Sequence, residues 1–381
     1  MKPLNPIATG FGESVFTTLT RLANQAGAIN LAQGFPDFDG PEWIKELAID
    51  AIKTGPHQYA PSMGAISLRQ GLADFYLEQY KLSLDPAQEI LVTVGASEAI
   101  YSTIVALLAP GEELLCFEPL YDSYLASARL HGVKICPVTL PFPGLEIDWD
   151  RMEDLCGPKT KALILNNPHN PTGKVFSQAE LEKLALFAQK HDLYVICDEV
   201  YEFLTFETPH IPLASLPGMR QRVVTISSMG KTLSLTGWKI GWAMGPHELI
   251  KPIHHVHQFI TFCLAHPLQI ALANTLPRLK TYLPEFRAQY FKKRDYLIQG
   301  LTSLGFKPQR PQGTYFLLAQ VPNGQTDVSY SQELIHTKKV AALPLSSFYL
   351  ESNQGTQLIR FCFAKKMETL SLALNQLRGG L

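Results

Sequence analysis

Two lysines eight residues apart, Lys231 and Lys239, stand in the stretch Ser227-Ser228-Met229-Gly230-Lys231-Thr232-Leu233-Ser234-Leu235-Thr236-Gly237-Trp238-Lys239-Ile240-Gly241-Trp242, directly after the apolar run Val223-Val224-Thr225-Ile226. A lysine among apolar and small residues loses solvation of its charged form, so its pKa falls and its amine becomes available for Schiff-base chemistry. Lys231 is the candidate for that amine. Ser228 and Lys239 add a hydroxyl donor and a fixed positive charge, which with glycine-opened backbone suit a phosphate ester. A reactive carbonyl and a phosphate on one small molecule suggest pyridoxal phosphate. Asp198 fits the same molecule: it ends the apolar run Leu193–Cys197, where a carboxylate can pair with a protonated pyridine nitrogen and keep the ring electron-accepting. Either lysine alone would be an ordinary surface residue; the conjunction gives them meaning.

Such groups must be placed by a scaffold. Apolar runs predict strands at Ile90–Val94, Glu113–Phe117, Val133–Val138, Ala162–Leu165 and Leu193–Cys197, with helical patterns near Glu98–Leu108, Asp122–His131 and Gln178–His191 between them. This alternation predicts an α/β fold with a mostly parallel sheet and ligands at the carboxyl ends of its strands. Gly95-Ala96-Ser97-Glu98 follows the first strand and opens a helix, whose free N–H groups and dipole can take an anion; Ser97 could equally be a plain N-cap. Asn166-Asn167-Pro168-His169-Asn170-Pro171-Thr172-Gly173 ends another strand, its two Asn-Pro steps fixing a turn. Further helices are predicted over Glu42–Lys53 and Glu248–Phe262, and a long amphipathic one over Leu283–Gly305 links to short strands at Thr314–Val321, Val340–Leu345 and Leu358–Ala364 and a last helix from Lys366. Arg360 interrupts the third of these strands; an arginine among apolar neighbours requires an acidic partner, as an internal ion pair or a ligand carboxylate.

Composition sets bounds. The 381 residues are 46% hydrophobic and 18% charged with a net charge of −1, an ordinary globular composition without a footprint for nucleic acid or an anionic membrane surface. No apolar run spans a bilayer, and Met1–Pro6 lacks the core of a signal peptide, so a cytoplasmic location is expected. Six cysteines without a C-x-x-C pair predict buried thiols rather than disulfides or zinc. His254, His255 and His257 have no acidic or thiol ligand at suitable spacing, so they are expected on a helix surface and no metal is expected.

The stretch from Ser228 to Trp242 resembles the S-x-G-K-x-x-x-x-T-G-W-K-x-G-W signature of class I/II aminotransferases, the fold-type I pyridoxal phosphate enzymes, near bacterial methionine aminotransferases and kynurenine/glutamine transaminases. Asn30–Phe38 resembles the N-L-x-Q-G-F-P-D-F motif, Asn166–Gly173 resembles N-x-P-x-N-P-x-G, and Arg360–Phe363 resembles R-F-C-F. The resemblance implies that Lys231 carries the cofactor and Lys239 binds its phosphate, with Ala96, Ser97 and Ser228. It implies Tyr121 stacked on the pyridine face, Asn170 at the phenolic oxygen and the substrate carboxylate, and Tyr201 at the phenolic oxygen. Gly34 and Arg360 would receive the substrate carboxylate, Phe262 and Phe348 would line the substrate pocket, and Tyr59 would reach the neighbouring subunit's phosphate across a homodimer. Tyr349 and Phe16 join the expected outer pocket, and Glu199 is expected only to cap or solvate its strand end.

The implied fold is a large domain over 40–285, with a mostly parallel mixed sheet between helices, and a discontinuous α+β domain from 1–39 and 286–381. The implied activity is ping-pong transamination between an amino acid, with a methionine, aromatic, glutamine or kynurenine-like side chain, and a 2-oxo acid. β-Elimination from cysteine S-conjugates at the same site is an alternative; a non-catalytic ligand sensor, which would need an added DNA-binding segment, is another. Met229 and Val15 depart from close relatives, which leaves the donor open.

Overall fold

In the computed structural model, which describes residues 2–322 and 324–379, the N-terminal segment forms the helix Val15–Ala26 and the short strand β1 (Ile29–Asn30). Seven strands follow: β2 (Ile90–Val94), β3 (Glu113–Glu118), β4 (Lys134–Thr139), β5 (Thr160–Asn166), β6 (Tyr194–Asp198), β7 (Val223–Ser228) and β8 (Ile240–Met244). They make one sheet in the order β2-β8-β7-β6-β5-β3-β4. Only β8 is antiparallel to its neighbours, β2 and β7. The reason lies in the connection: residues 229–239, the Lys231 stretch, are too few for a crossover helix, so the chain turns back beside β7.

Helices cover both faces, which is why the inner strands are continuous apolar runs rather than alternating ones. On one face Ile100 and Ile104 of helix Gly95–Leu107 and Ile250 and Ile253 of helix His247–Ile260 pack with Leu114, Ile196 and Val224. On the other, Leu181, Leu184 and Phe187 of helix Gln178–Lys190 pack with Leu163 and Val195. The C-terminal part supplies β9 (Phe316–Gln320), β10 (Val340–Ala341), β11 (Leu343–Pro344) and β12 (Leu358–Cys362). β11-β12-β9 form an antiparallel sheet, and β10 pairs in parallel with β1, which joins the N-terminal segment to this part. Among the described residues no helix is long and apolar enough to cross a membrane.

The structure differs from the sequence expectations at several points. Helix Ile66–Tyr80 was not foreseen; it buries Leu68, Arg69, Leu72, Ala73, Phe75 and Tyr76, so no apolar stripe marks it. The expected strand Val340–Leu345 divides at Ala342 because its halves pair with different strands. Helix Gly95–Leu107 begins three residues before Glu98, with no side-chain cap; Ser97 lies inside its first turn and is not the N-cap. His257, expected on a surface, is fully buried.

Gly241 fixes how closely β8 approaches the start of helix Gly95–Leu107: a Cβ there would lie 2.5 Å from the Gly95 carbonyl carbon and 2.6 Å from the Ala96 nitrogen. Because those atoms are backbone, Gly241→Ala is expected to destabilise the fold by about 1–3 kcal/mol. Gly237→Ala, where a Cβ meets nothing within 4 Å, is the control and is expected near zero. Urea midpoints at unchanged m-value measure both.

Candidate active site

The carboxyl ends of β2, β5, β6 and β7 meet the loop around Gly34 and the middle of β12 at one cavity of about 290 Å³. Lys231 enters it from the short helix Met229–Thr232 that follows β7, with its Nζ 5.7 Å from the ring centre of Tyr201 and 5.9 Å from that of Tyr315. Burial lowers its pKa to about 8; the Asp198 carboxylate opposes the shift, while Lys239 and Arg360 add to it. A unit above neutrality, half of the amine is therefore free.

Asp198 ends β6 and is buried. Desolvation lifts its pKa to about 6, against a 2.5 Å hydrogen bond donated by the Tyr124 hydroxyl to Oδ2. Its position is locked through the backbone: Asn166 Nδ2 donates to the Asp198 carbonyl at 2.9 Å, and Asn166 Oδ1 accepts the Asn170 N–H at 2.7 Å. Tyr124 and Asn166 were missed as site residues. Both stood inside recognised stretches, and their signal was position at the end of a neighbouring strand.

Arg360 is fully buried on β12 and has no ion-pair partner among the described residues, so the internal acid that its sequence setting allowed is not there. Nη1 donates to Asn170 Oδ1 at 2.9 Å and Nη2 to the Ala32 carbonyl at 3.1 Å, while Nε has no partner. Its guanidinium lies 3.8 Å from the Phe316 ring centre, and burial lowers its pKa to about 10. A buried guanidinium with spare donors and no counter-charge is suited to a ligand carboxylate. Gly34 permits the approach, since a Cβ there would sit 3.0 Å from Phe316 and 3.6 Å from Arg360 Nη2, and Tyr315 donates its hydroxyl to the Gly34 carbonyl at 2.7 Å.

Across the cavity, Gly95, with φ 74°, turns β2 into the first turn of its helix, bringing Ala96 and Ser97 to the cavity wall. Lys239 holds its amine over that turn, 3.2 Å from where a Gly95 Cβ would be. Ser228, at the end of β7, makes no capping bond. Helix N–H groups, two hydroxyls and an ammonium form a donor set that fits a phosphate. Together with the Asp198 carboxylate and the Lys231 amine, the residues present fit pyridoxal phosphate.

Tyr121 and Tyr201 line this cavity, as does Phe16. Phe348 stands behind the lining, against Phe16 and 5.4 Å from the Arg360 guanidinium, and Tyr349 is packed over Gly355, away from it. Phe262 is also outside the cavity of its own chain. Helix His247–Ile260 ends just before it, and Phe262 takes φ 65°, turning its ring outward against Tyr59 with centroids 5.2 Å apart. Tyr59 is 81% exposed and Phe262 45%. Glu199, expected to solvate its strand end, is buried 3.0 Å from His210 Nε2.

A parallel sheet reversed by one antiparallel strand, with the amine on the reversing loop and the anion cradle at the adjacent helix start, defines the fold-type I aminotransferases. The chain belongs to that family: residues 26–377 match aminotransferase class I and II, and the protein is a pyridoxal-phosphate-dependent transaminase. It is 40% identical over 373 residues to the methionine aminotransferase of Escherichia coli (strain K12), covering 96% of each chain. It is also 40% identical over 388 residues to a probable N-succinyldiaminopimelate aminotransferase of Mycobacterium tuberculosis (strain ATCC 25618 / H37Rv), covering 98% of this chain and 96% of the relative. The crystal structure of an Escherichia coli protein identified with a methionine aminotransferase function superposes with a TM-score of 0.96 at 38% identity, over the whole of both chains.

The depressed Lys231 pKa has a measurable consequence. In cofactor-free protein, acetylation of Lys231 is expected to rise with pH through a midpoint near 8 and then level off. Asp198→Asn removes a charge that holds the amine protonated, so the midpoint should move lower. Competitive labelling read by mass spectrometry checks both; a rate still climbing at about pH 10, where an unperturbed lysine titrates, would contradict the burial argument.

Proposed function

We infer that this transaminase acts on amino acids with flexible apolar side chains, methionine first among them, with phenylalanine, tyrosine, glutamine or kynurenine as companions. The observation that carries the reading is the single buried, uncompensated Arg360 in a cavity whose other cations among the described residues, Lys231 and Lys239, already have roles. Arg360 and Asn170 hold the α-carboxylate. Gly95, Ala96, Ser97, Ser228 and Lys239 would hold the cofactor's phosphate, Asp198 its ring nitrogen and Tyr201 its phenolic oxygen, with Tyr121 over the ring face. Bound there, pyridoxal phosphate supplies an electron-accepting ring that stabilises negative charge at the substrate α-carbon. Lys231 Nζ takes the α-proton and returns it, a role for which an amine titrating near 8 is suited.

The remaining wall is aromatic, with Phe16, Phe35 and Phe316 beside Tyr121. Burial of apolar substrate there is worth about 0.8 kcal/mol per methylene, and sulfur–aromatic contacts add about 0.3–1.5 kcal/mol. A distal carboxylate would be desolvated without a partner. The outward ring pair Tyr59–Phe262 is exposed, and so are Phe259, at 87%, and Ile260, at the end of the helix that leads to Phe262. Such a surface is covered by association. We assign it to a homodimer in which Tyr59 reaches the partner's phosphate site and Phe262 the partner's substrate pocket. In each subunit residues 40–285 form the large domain and 1–39 with 286–381 the small one, with Lys231 contributed by the first and Arg360 by the second.

Two outcomes follow. Lys231→Ala is expected to abolish turnover and the lysine-dependent visible absorption band while leaving the far-UV circular dichroism intact; full activity in that variant would refute the assignment. Methionine is expected to exceed aspartate in kcat/KM by at least about tenfold, or about 1.4 kcal/mol of transition-state discrimination. Parallel assays decide it: parity with aspartate, or preference for an N-succinylated diamino diacid, would mean that a further cation serves the cavity.

A further inference from the structure

His257 is fully buried and has no part in the roles assigned above, yet its imidazole joins three parts of the site's periphery. Nδ1 lies 2.8 Å from Glu98 Oε1, and Nε2 lies 3.1 Å from the Ser62 carbonyl oxygen. Nδ1 also lies 3.2 Å from the Thr261 hydroxyl, so the ring touches the residue before Phe262 as well. Glu98 is itself fixed, because its Oε2 accepts the Val94 N–H at 2.8 Å and its Oε1 accepts the Ser102 hydroxyl at 3.0 Å. It is thus a rigid anchor in the first turn of helix Gly95–Leu107.

The other contacts lead to the two outward-facing rings. Ser62 follows Tyr59 by three residues, and its hydroxyl is held by His254 Nε2 at 3.0 Å, one turn back on the helix of His257. The His257 carbonyl accepts the N–H groups of Thr261 at 3.1 Å and Phe262 at 3.2 Å, closing the helix where Phe262 turns outward. One residue therefore holds the segment carrying Tyr59 by its side chain and the turn carrying Phe262 by its backbone. The two rings meet edge to face at 5.2 Å, so displacing either support moves the pair.

We propose that His257, anchored by Glu98, is a positioning residue that sets Tyr59 and Phe262 for the partner subunit's active site. This rests on the homodimeric, cofactor-binding reading above. Replacing the imidazole removes the link between Glu98 and the Ser62 carbonyl, and the chain relaxes at the segment that must meet the partner.

Heterodimers made from differently tagged chains separate this role from general packing. With Lys231→Ala in one chain, only the other chain's cavity is competent. His257→Gln placed on the Lys231→Ala chain alters the rings delivered to that cavity. The expected result is a fall in kcat/KM for methionine of about tenfold or more, since small misplacements at an active site are costly. A similar weakening is expected in the apparent Kd for pyridoxal phosphate, read by absorbance titration of the apo heterodimer. The same substitution on the competent chain should leave both values within about twofold, because its rings then serve the dead cavity. Equal losses in the two arrangements, or a loss confined to the second, would overturn the proposal. Should His257→Gln fail to fold, Glu98→Gln, which keeps the shape and removes the anchor's charge, carries the same comparison. Absence of cofactor uptake by the unaltered dimer would instead sink the underlying reading, and the proposal with it.

Discussion

Burial holds three ionisable groups, Lys231, Asp198 and Arg360, around one cavity, and none of them makes a direct ion pair with another described side chain. Desolvation is the largest influence on each and pushes every one toward its neutral form: the lysine to about 8, the aspartate to about 6, the arginine to about 10. An unpaired buried charge is among the costliest features a fold can carry. The cavity is therefore suited to a cation opposite Asp198, a carboxylate opposite Arg360, and an electrophile within reach of Lys231.

Holding such groups apart demands a rigid frame, and the reversal at β8 provides it. Because residues 229–239 connect antiparallel neighbours, Lys231 and Lys239 sit at the same end of the sheet as Asp198, on the opposite side of β7 from β6. Gly241 lets β8 lie against Gly95 and Ala96, so the amine of Lys239 stands over the helix start. The spacing of eight between the lysines thus has a structural meaning. It is the length of the turn that brings one lysine between Tyr201 and Tyr315 and the other over the Gly95 turn.

Much of this was legible in the sequence, for identifiable reasons. Asp198, Asn170 and the lysines follow apolar runs that become fully buried strands, and in a parallel sheet the ends of such strands converge. Arg360 was legible as an anomaly; its residue setting left an internal acid and a ligand acid open, the resemblance pointed to the substrate carboxylate, and the fold offers no internal acid among the described residues. Phe262 was expected in the pocket by motif and Tyr349 as part of an aromatic outer wall; neither lines the cavity of its own chain, because spacing along a chain does not say on which side a helix end or a 3₁₀ turn releases its ring. His257 was misjudged for a related reason: its acceptors, Glu98 and Ser62, lie 159 and 195 residues away in sequence, beyond any local pattern.

The segment that carries Asp198 also explains why the site does not collapse under its own desolvation. Asp198 and Tyr201 face the cavity, whereas Glu199 and Glu202 face the core. Glu202 Oε1 accepts hydroxyls from Tyr76 and Ser227, each at 2.6 Å, and Trp242 Nε1 donates to Tyr76 at 3.3 Å. Burial lifts the Glu202 pKa to about 7, while His210 pairs with Glu199. One turn of backbone is therefore pinned from behind by polar bonds to helix Ile66–Tyr80 and to β7 beside Ser228, with β8 joined to them through Tyr76. A purely apolar backing would pack as well but would leave the register of that turn free to slip, and the register is what aims Asp198. The polar network behind the cavity is in this sense the counterpart of the unpaired charges within it: its bonds through Glu202 Oε1 and between His210 and Glu199 hold the turn from behind, while the charges in front stay free to meet a ligand.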